Sequence, residues 1–145
     1  MSEETLRSIE MSRLEKGRYL ATNTRGGQLV VGQGGRDEAF SPVELLLVAI
    51  AGCSAIDVDY IVGKRAEPAR LDVRMTGDKI RDEHGNRMTN LILSFDVAFP
   101  DDEGGRAAYD VLPRAVRQSH DRLCTVSRTV EVGSPITIRI EGGEG

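Results

Sequence analysis

The chain has 145 residues, of which 39% are hydrophobic and none is tryptophan, and its net charge is −4 at neutral pH. This length suits one domain, so we expect a single domain over residues 1–145. Acidic and basic residues are interspersed and aromatic residues are scarce, which argues against a nucleic-acid partner.

Targeting segments are not indicated. The N-terminal residues are acidic and polar, unlike the basic and apolar regions of a signal peptide. The apolar run from Leu45 to Cys53 is too short to span a bilayer. We therefore expect a cytoplasmic protein with no membrane partner.

The first part of the chain is predicted to form short strands and turns, with strands at Leu6–Met11, Tyr19–Thr22 and Gln28–Val31. A glycine pair, Gly26-Gly27, marks the turn before the third strand. The glycine-rich loop at residues 32–38 lacks the Lys-Ser/Thr ending of a phosphate-binding loop and the spacing of a dinucleotide fingerprint. We therefore assign it no cofactor.

A long helix follows, and its start is well marked. Ser41 can cap it, Pro42 suits the first helical position, and Glu44 completes a capping box, so we predict a helix over residues 42–62. The helix is apolar nearly all round, and one sheet of so small a protein covers only one face. A second copy of the chain would cover the other face, with Gly52 allowing close backbone approach.

The second half is predicted to contain a hairpin, a helix and a final strand. Alternating apolar residues indicate strands at Arg70–Ile80 and Asn90–Phe99. Helical spacing indicates a second helix over about residues 105–123, with Pro113 inside it. One helical turn and a strand at Pro135–Ile140 complete the pattern, which makes the fold α+β.

Cys53 lies within one helix-like stretch, and Cys124 follows a second one. Two cysteines in a cytosolic chain do not make a disulfide scaffold. A thiol pair that is distant in sequence but adjacent in space would suit peroxide reduction or disulfide cycling. The alternative is that both are inert, buried packing residues.

Two segments carry a family resemblance. Residues 41–58, SPVELLLVAIAGCSAIDV, resemble the first cysteine motif of the OsmC/Ohr superfamily, and residues 118–127, QSHDRLCTVS, resemble its second. The similarity extends over roughly Gln28 to Ile140. It is strongest to the YhfA-like branch.

The resemblance implies antiparallel β-sheets around long central helices in an intertwined homodimer. It implies a role in oxidative stress defence through the reduction of organic hydroperoxides or hydrogen peroxide. By motif position, Cys53 attacks the peroxide, and Cys124 resolves the sulfenic acid into a disulfide. A small thiol or a dihydrolipoyl group would then reduce the disulfide, and no cofactor or metal is implied.

A cation is expected near the attacking thiol, because burial alone raises the pKa of a cysteine. The family's arginine corresponds to Arg25 or Arg36, oriented by a glutamate that corresponds to Glu44. Peroxidase members place that glutamate directly after the proline, whereas Val43 stands there in this chain. The shift of one residue rotates Glu44 by about 100° around the helix.

Other polar residues near the cysteines have structural explanations. Asp57 follows Cys53 by one helical turn and would oppose ionisation of the thiol, so we interpret it as a hydrogen-bond acceptor or an arginine partner. His120 and Cys124 have helical i, i+4 spacing, but two ligands do not make a zinc site. Ser119, His120 and Asp121 are helical neighbours that point about 100° apart, so we expect no catalytic triad.

An alternative function is non-enzymatic. The protein would bind a small apolar ligand in an interface pocket, and the thiols would serve as a redox sensor or as packing. The shifted Glu44 favours this alternative, and so does Thr125, which stands where the family's second motif usually has proline.

Overall fold

The structure is a computed structural model that describes residues 5–142. The chain divides into two compact units, residues 1–48 and residues 49–145, and each is described by itself. The boundary falls inside a continuous helix, α1 (Pro42–Val62). The expectation of one domain over the whole chain stays a prediction.

The first unit contains a three-stranded antiparallel sheet in the order β1-β2-β3. Its strands are β1 (Ile9–Glu15), β2 (Arg18–Asn23) and β3 (Gln28–Val31). The Asn23 side chain accepts hydrogen bonds from two backbone amides in the β2–β3 turn, which fixes the hairpin. The third strand has the predicted bounds, whereas β1 begins later than predicted and extends to the turn before β2.

Helix α1 has the predicted bounds and the predicted capping box. The Ser41 amide donates to Glu44 Oε1 at 2.9 Å, and the Glu44 amide donates to Ser41 Oγ at 3.2 Å. These two bonds satisfy donors that the first helical turn would otherwise leave unpaired. The start of α1 is therefore set by local sequence.

The length and composition of α1 also meet the criteria for a membrane-spanning helix. Its most apolar window of 18 residues has a mean hydropathy of 2.0, and 28% of that window is buried within the chain. The sequence argument against a span considered only Leu45–Cys53, and the whole helix is longer. The central helix of a soluble protein meets the same criteria, so this property alone does not locate the protein.

The second unit contains a long two-stranded antiparallel hairpin, β4 (Arg70–Asp82) and β5 (Gly85–Ala98). Apolar and polar residues alternate along β4, as predicted. The strands pair up to Asp82 and Gly85 on either side of a two-residue turn, so β5 starts several residues before the predicted position. A bulge between Thr76 and Asp78 shifts the register within the hairpin.

Two helices flank a single π-helical turn. Helix α2 (Glu103–Gln118) begins at Asp102, whose carboxylate accepts a hydrogen bond from the Gly105 amide at 2.7 Å. The π-turn (Ser119–Leu123) follows, and then α3 (Thr125–Val132). The second helix was predicted to continue to Leu123, but the Cys124 amide donates to the Ser119 carbonyl at 2.8 Å, which is the wider π pattern.

The predicted final strand does not form in the described chain. Residues 135–140 have no strand assignment, and Ile136, Ile138 and Ile140 are 87%, 86% and 93% exposed. A strand needs a neighbouring strand for its backbone hydrogen bonds, and none of those in residues 5–142 pairs with this segment. The residue pattern of this segment favours a strand, but it does not specify a neighbouring strand with which the segment could pair.

The core of the second unit lies between α1 and α2. It consists of small and branched side chains with one aromatic ring: Val58, Val62, Phe99, Ala108, Val111 and Ala115. The ring of Phe99 meets Tyr109 edge to face, with centroids 4.8 Å apart. This packing fixes the second half of α1, which carries Cys53, against α2.

We predict that Phe99→Ala lowers the free energy of unfolding by about 3 kcal/mol or more, because it leaves a cavity in the core and removes the aromatic contact. Urea denaturation measures this change. The matched control is Phe40→Ala, because Phe40 is 48% exposed whereas Phe99 is 8% exposed. An equal effect of the two substitutions would contradict the assignment of Phe99 to the core.

Candidate functional site

The two cysteines lie next to each other in the second unit. Cys53 is half-buried on α1, and Cys124 is fully buried at the junction of the π-turn and α3. Both thiols are free, and each is close enough to affect the pKa of the other. The π-turn and the packing of α1 against α2 thus join two positions that are far apart in the sequence.

The N-terminus of α3 points its amides at both sulfurs. Cys124 is the N-cap residue, and its Sγ accepts a hydrogen bond from the Ser127 amide at 3.4 Å. The Val126 amide is a donor to Cys53. The first amides of a helix lack partners within the helix and carry its positive dipole end, so they favour negative charge on these sulfurs.

Hydroxyl groups complete the surroundings of Cys124. Ser127 Oγ lies 3.1 Å from Cys124 Sγ, and the buried Ser54 hydroxyl is close enough to act on the pKa of this thiol. Burial acts to raise the pKa of Cys124, but the Ser127 hydroxyl, Ser54, the Ser127 amide and the neighbouring Cys53 together lower it by more. The pKa of Cys124 therefore lies below its ordinary value.

The pKa of Cys53 is shifted in the opposite direction, above its ordinary value. Burial raises the pKa of Cys53, the Val126 amide acts in the other direction, and the neighbouring Cys124 and Asp57 raise it further. The carboxylate of Asp57 thus opposes ionisation of Cys53, as the sequence predicted. The two thiols are unequal, and the proton is held more tightly by Cys53.

Asp57 is also a structural acceptor, in agreement with the interpretation of the sequence. The Ser119 hydroxyl donates to Asp57 Oδ2 at 2.9 Å, which ties the start of the π-turn to α1. Because Ser119 is fully buried, this bond satisfies a hydroxyl that has no access to water. It also helps to hold Cys124 next to Cys53.

His120 is held between two carboxylates. Its Nδ1 lies 2.9 Å from Asp121 Oδ1, and its Nε2 lies 2.7 Å from Glu131 Oε1. The hydrogen bond to Asp121 and the charge of Glu131 raise the pKa of His120. Ser119 donates to Asp57. The argument that helical neighbours cannot meet is wrong for His120 and Asp121 in the π-turn.

The residues expected to complete a peroxidase site belong to the first unit. Arg25 is exposed in the β2–β3 turn, and Arg36 is exposed in the loop before α1. Glu44 accepts the capping-box hydrogen bond described above. The catalytic roles of Arg25, Arg36 and Glu44 stay predictions.

A cavity of about 270 Å³ lies beside the thiols in the second unit. Its polar residues are Ser54, His120, Ser127 and Glu131. The remaining lining is apolar and comes from α1, the hairpin, α2 and α3: Ile50, Met75, Leu91, Leu93, Phe95, Val116 and Val130. Ser127 also bonds to Cys124, so the cavity lies close to this residue although neither sulfur lines it, and its composition suits a small apolar molecule with one polar group.

In residues 5–142, no group of three or more His, Cys, Asp or Glu side chains is arranged around a possible ion. Both ring nitrogens of His120 face carboxylates rather than Cys124. The i, i+4 spacing of these two residues therefore does not produce a pair of ligands.

The sequence analysis missed Ser54, Ser127 and Glu131. Ser127 stands three residues after Cys124, which is the spacing between an N-cap residue and the amide that it accepts. That signal was present, but cysteine is not among the usual capping residues. Glu131 could not be paired with His120 without knowledge of the π-turn.

Comparison with known proteins identifies the family. Residues 34–140 match the family model of OsmC-like proteins. The chain is 33% identical over 121 residues to the protein YhfA of Escherichia coli, covering 82% of this chain and 85% of that protein. The chain therefore belongs to the OsmC-like family, and the similarity to YhfA confirms the predicted branch.

Solved structures show the same fold. An OsmC-like protein of unknown function from Vibrio cholerae superposes with a TM-score of 0.74 at 16% identity, covering 90% of this chain and 95% of that one. The organic hydroperoxide resistance protein of Bacillus subtilis superposes with a TM-score of 0.55 at 13% identity, covering 87% and 92%. The predicted α+β class with antiparallel sheets is thus confirmed.

We predict that the contribution of His120 to stability depends on pH. A raised pKa means that folding favours the protonated ring, so this stability is complete below about 6.5 and is lost as the pH rises through the raised pKa. His120→Asn should lower the free energy of unfolding at about pH 6 by less than about 1 kcal/mol, since the ring is exposed, and by less at about pH 9.

Urea denaturation across this pH range measures the effect. The control is His84→Asn, because His84 is the other histidine and lies in the exposed β4–β5 turn. A His120→Asn effect that stays constant or grows with pH would contradict the ion-pair assignment.

Proposed function

We propose that this OsmC-like protein is a thiol-dependent peroxidase that reduces organic hydroperoxides or hydrogen peroxide in oxidative stress defence. The observation that carries the proposal is the contact between Cys53 and Cys124 at the N-terminus of α3. Two neighbouring thiols can cycle between a dithiol and a disulfide without an additional group.

The reaction balances with these two residues alone. The Cys53 thiolate attacks one peroxide oxygen, the O–O bond breaks, and the departing alkoxide or hydroxide takes a proton. Cys53 is then a sulfenic acid. Cys124 sulfur attacks the Cys53 sulfur, the S–O bond breaks, and the oxygen leaves as water after protonation. The peroxide gains two electrons and two protons, and the protein gains a disulfide.

An external dithiol or monothiol would restore the enzyme. Its thiolate attacks the disulfide and forms a mixed disulfide, and a second thiol then releases the protein in the reduced state. A dihydrolipoyl group or a small thiol has the required chemistry. We propose these as the reducing partners, and we propose a cytoplasmic location, where such reductants are maintained.

The cavity beside the thiols supports an organic substrate. Apolar side chains form most of its lining, and hydroxyl groups lie at the end next to Cys124. An apolar group of the peroxide would occupy this lining, while its oxygens face the sulfurs. Arg25 or Arg36, oriented by Glu44, would add positive charge for the departing oxygen.

A homodimer is part of the proposal. Helix α1 exposes large apolar residues in the single chain: Val48 is 49% exposed, Ile56 is 60% exposed and Tyr60 is 77% exposed. An apolar helix that its own chain leaves uncovered is suited to packing against another copy. An added Cβ at Gly52 would meet no atom within 4 Å, so this position is open for such contact.

A second function fits the same cavity. A non-enzymatic protein would bind a small apolar ligand there and use the cysteines as a redox sensor. The apolar lining favours this alternative as much as it favours an organic peroxide. Turnover with a reductant separates the two, because a sensor reacts once and a peroxidase reacts repeatedly.

We predict that the purified protein consumes cumene hydroperoxide in the presence of dithiothreitol and that Cys53→Ser abolishes this activity. Cys124→Ser should leave Cys53 oxidised as a sulfenic acid, which dimedone traps and mass spectrometry locates. The wild-type protein treated with one equivalent of peroxide should instead lose both free thiols. Full activity of Cys53→Ser, or intact thiols after peroxide, would refute the enzyme assignment.

We predict that Gly52→Ala weakens the dimer. In an isolated helix this change adds stability of about 1 kcal/mol through helix propensity, and in the single chain the added methyl group meets open space. Close packing of two α1 helices would reverse the effect, because the methyl groups would separate them. Analytical ultracentrifugation should show a higher dissociation constant, whereas a more stable protein with unchanged association would count against close packing at Gly52.

A further inference from the structure

We propose that Ser119 and Asp57 are positioning residues for closure of the disulfide between the two cysteines. Their hydrogen bond decides whether oxidised Cys53 closes a disulfide with Cys124 or is oxidised further by a second peroxide. This inference rests on the proposed function, because Cys53 must first become a sulfenic acid. It gives Asp57 a role in the second chemical step, beyond that of a structural acceptor.

Two hydrogen bonds join the backbone of Cys124 to α1 through Ser119. The Cys124 amide donates to the Ser119 carbonyl at 2.8 Å, and the Ser119 hydroxyl donates to Asp57 Oδ2 at 2.9 Å. Asp57 follows Cys53 within the continuous helix α1 and stands about one helical turn away from it. The two cysteines are thus connected by a short path of one helical turn and two hydrogen bonds.

Water does not compete for the hydrogen bonds of Ser119. Ser119 and Cys124 are both 0% exposed, and Asp57 is half-buried. A buried hydroxyl has no solvent partner that could replace a broken bond, and a charged acceptor holds it more strongly than a neutral one. The path between the two cysteines is therefore a firm restraint.

The bonds of Cys124 to Ser127 fix it within its own segment. Cys124 Sγ accepts from the Ser127 amide at 3.4 Å and lies 3.1 Å from Ser127 Oγ, and both residues belong to the start of α3. These bonds move with α3 and do not anchor it to another element. The Ser119–Asp57 bond crosses from the π-turn to α1, so it restrains the separation of the two cysteines.

Disulfide closure is the step that is most sensitive to this restraint. A disulfide forms only when the two Cα atoms lie within about 7 Å and the Cβ–S–S–Cβ dihedral angle is close to about 90°. Attack on a peroxide does not require Cys124 in a fixed position, because the peroxide meets the half-buried Cys53. Loss of the restraint should therefore slow closure more than attack.

The Cys53 sulfenic acid has two fates, and both balance. In closure, the Cys124 sulfur forms the S–S bond, the Cys53 S–O bond breaks, and the hydroxide leaves as water with the proton of Cys124. In further oxidation, a second peroxide transfers one oxygen to Cys53, which becomes a sulfinic acid, and the peroxide is reduced to an alcohol or water. A slower closure therefore increases the yield of sulfinic acid.

The charge of Asp57 has opposite effects on the two steps. A carboxylate near Cys53 opposes ionisation of that thiol and so acts against attack. The same charge strengthens the hydrogen bond from Ser119 and so acts in favour of closure. A carboxylate at this position thus slows the first step and secures the second.

The test is mass spectrometry of Cys53 after the reduced protein is treated with increasing concentrations of cumene hydroperoxide. In Ser119→Ala, the concentration that converts half of Cys53 to sulfinic acid should fall about tenfold, the effect of one hydrogen bond. Ser94→Ala, on the exposed face of β5, is the control and should behave as the wild type. An unchanged concentration in Ser119→Ala would overturn the assignment.

The attack step is measured separately in the Cys124→Ser background, where closure cannot occur. Dimedone labelling then follows the formation of Cys53 sulfenic acid. Ser119→Ala should change this labelling rate less than it changes closure, and Asp57→Asn should raise it by removing the charge. An equal loss of rate in attack and in closure would show general disorder at the site and would refute a positioning role.

Two variants of Asp57 distinguish the hydrogen bond from the charge. Asp57→Asn keeps an acceptor oxygen for the Ser119 hydroxyl, whereas Asp57→Ala removes it. Both lack the charge, so Asp57→Asn should form less sulfinic acid than Asp57→Ala at the same peroxide concentration. Equal yields in the two variants would contradict a role for the hydrogen bond.

A second oxidant separates this inference from the proposed function. Diamide is reduced to a hydrazine as two thiols lose two protons and two electrons, so it closes the disulfide without peroxide. If diamide closes the wild type faster than Ser119→Ala but no peroxide is consumed, the positioning role stands and the peroxidase does not. If peroxide is consumed but the sulfinic acid yield of Ser119→Ala is unchanged, the peroxidase stands and the positioning role does not. If Ser119→Ala does not fold, Asp57→Ala breaks the same bond from its less buried side and decides the question.

Discussion

The first turn of α3 is the constraint on which the candidate site depends. Its amides lack partners within the helix, and two of them are directed at sulfur, one at Cys124 and one at Cys53. A helix end in this position supplies positive potential that favours ionisation of a buried thiol, and no charged side chain is required. The π-turn before α3 and the Ser119–Asp57 bond keep this helix end against α1. The site is thus built from backbone geometry as much as from side chains.

Local sequence was sufficient to predict those parts of the fold that local interactions determine. Ser41, Pro42 and Glu44 fix the start of α1, so its first residue could be predicted from the capping box alone. The alternation in β4 likewise identified a half-buried strand. The final strand at 135–140 was predicted from the same kind of pattern and does not form, because a strand depends on a neighbour that the pattern does not specify.

The two cysteines of the candidate site could be predicted from the sequence, whereas most of the residues around them could not. The two motifs identified Cys53 and Cys124, and the chemistry of a carboxylate beside a thiol explained Asp57. The widened turn that brings His120 to Asp121 and Glu131 could not be predicted from the residues, because that contact depends on one extra residue in a helical turn. Sequence reasoning looked for a cation among the arginines, while the structure provides amides and hydroxyls at the sulfurs.

In the proposed cycle, Cys124 would be both the acceptor of the Ser127 amide at the start of α3 and one of the two sulfurs that are oxidised. A thiolate is a strong acceptor for an amide, whereas a disulfide sulfur is neutral and weak. Oxidation would therefore cost α3 part of its N-terminal anchoring, and reduction would return it. The linkage between helix stability and the dithiol–disulfide equilibrium is reciprocal, so any interaction that stabilises the start of α3 also favours the dithiol. The redox potential of the cysteine pair and the local stability of this helix would then be coupled.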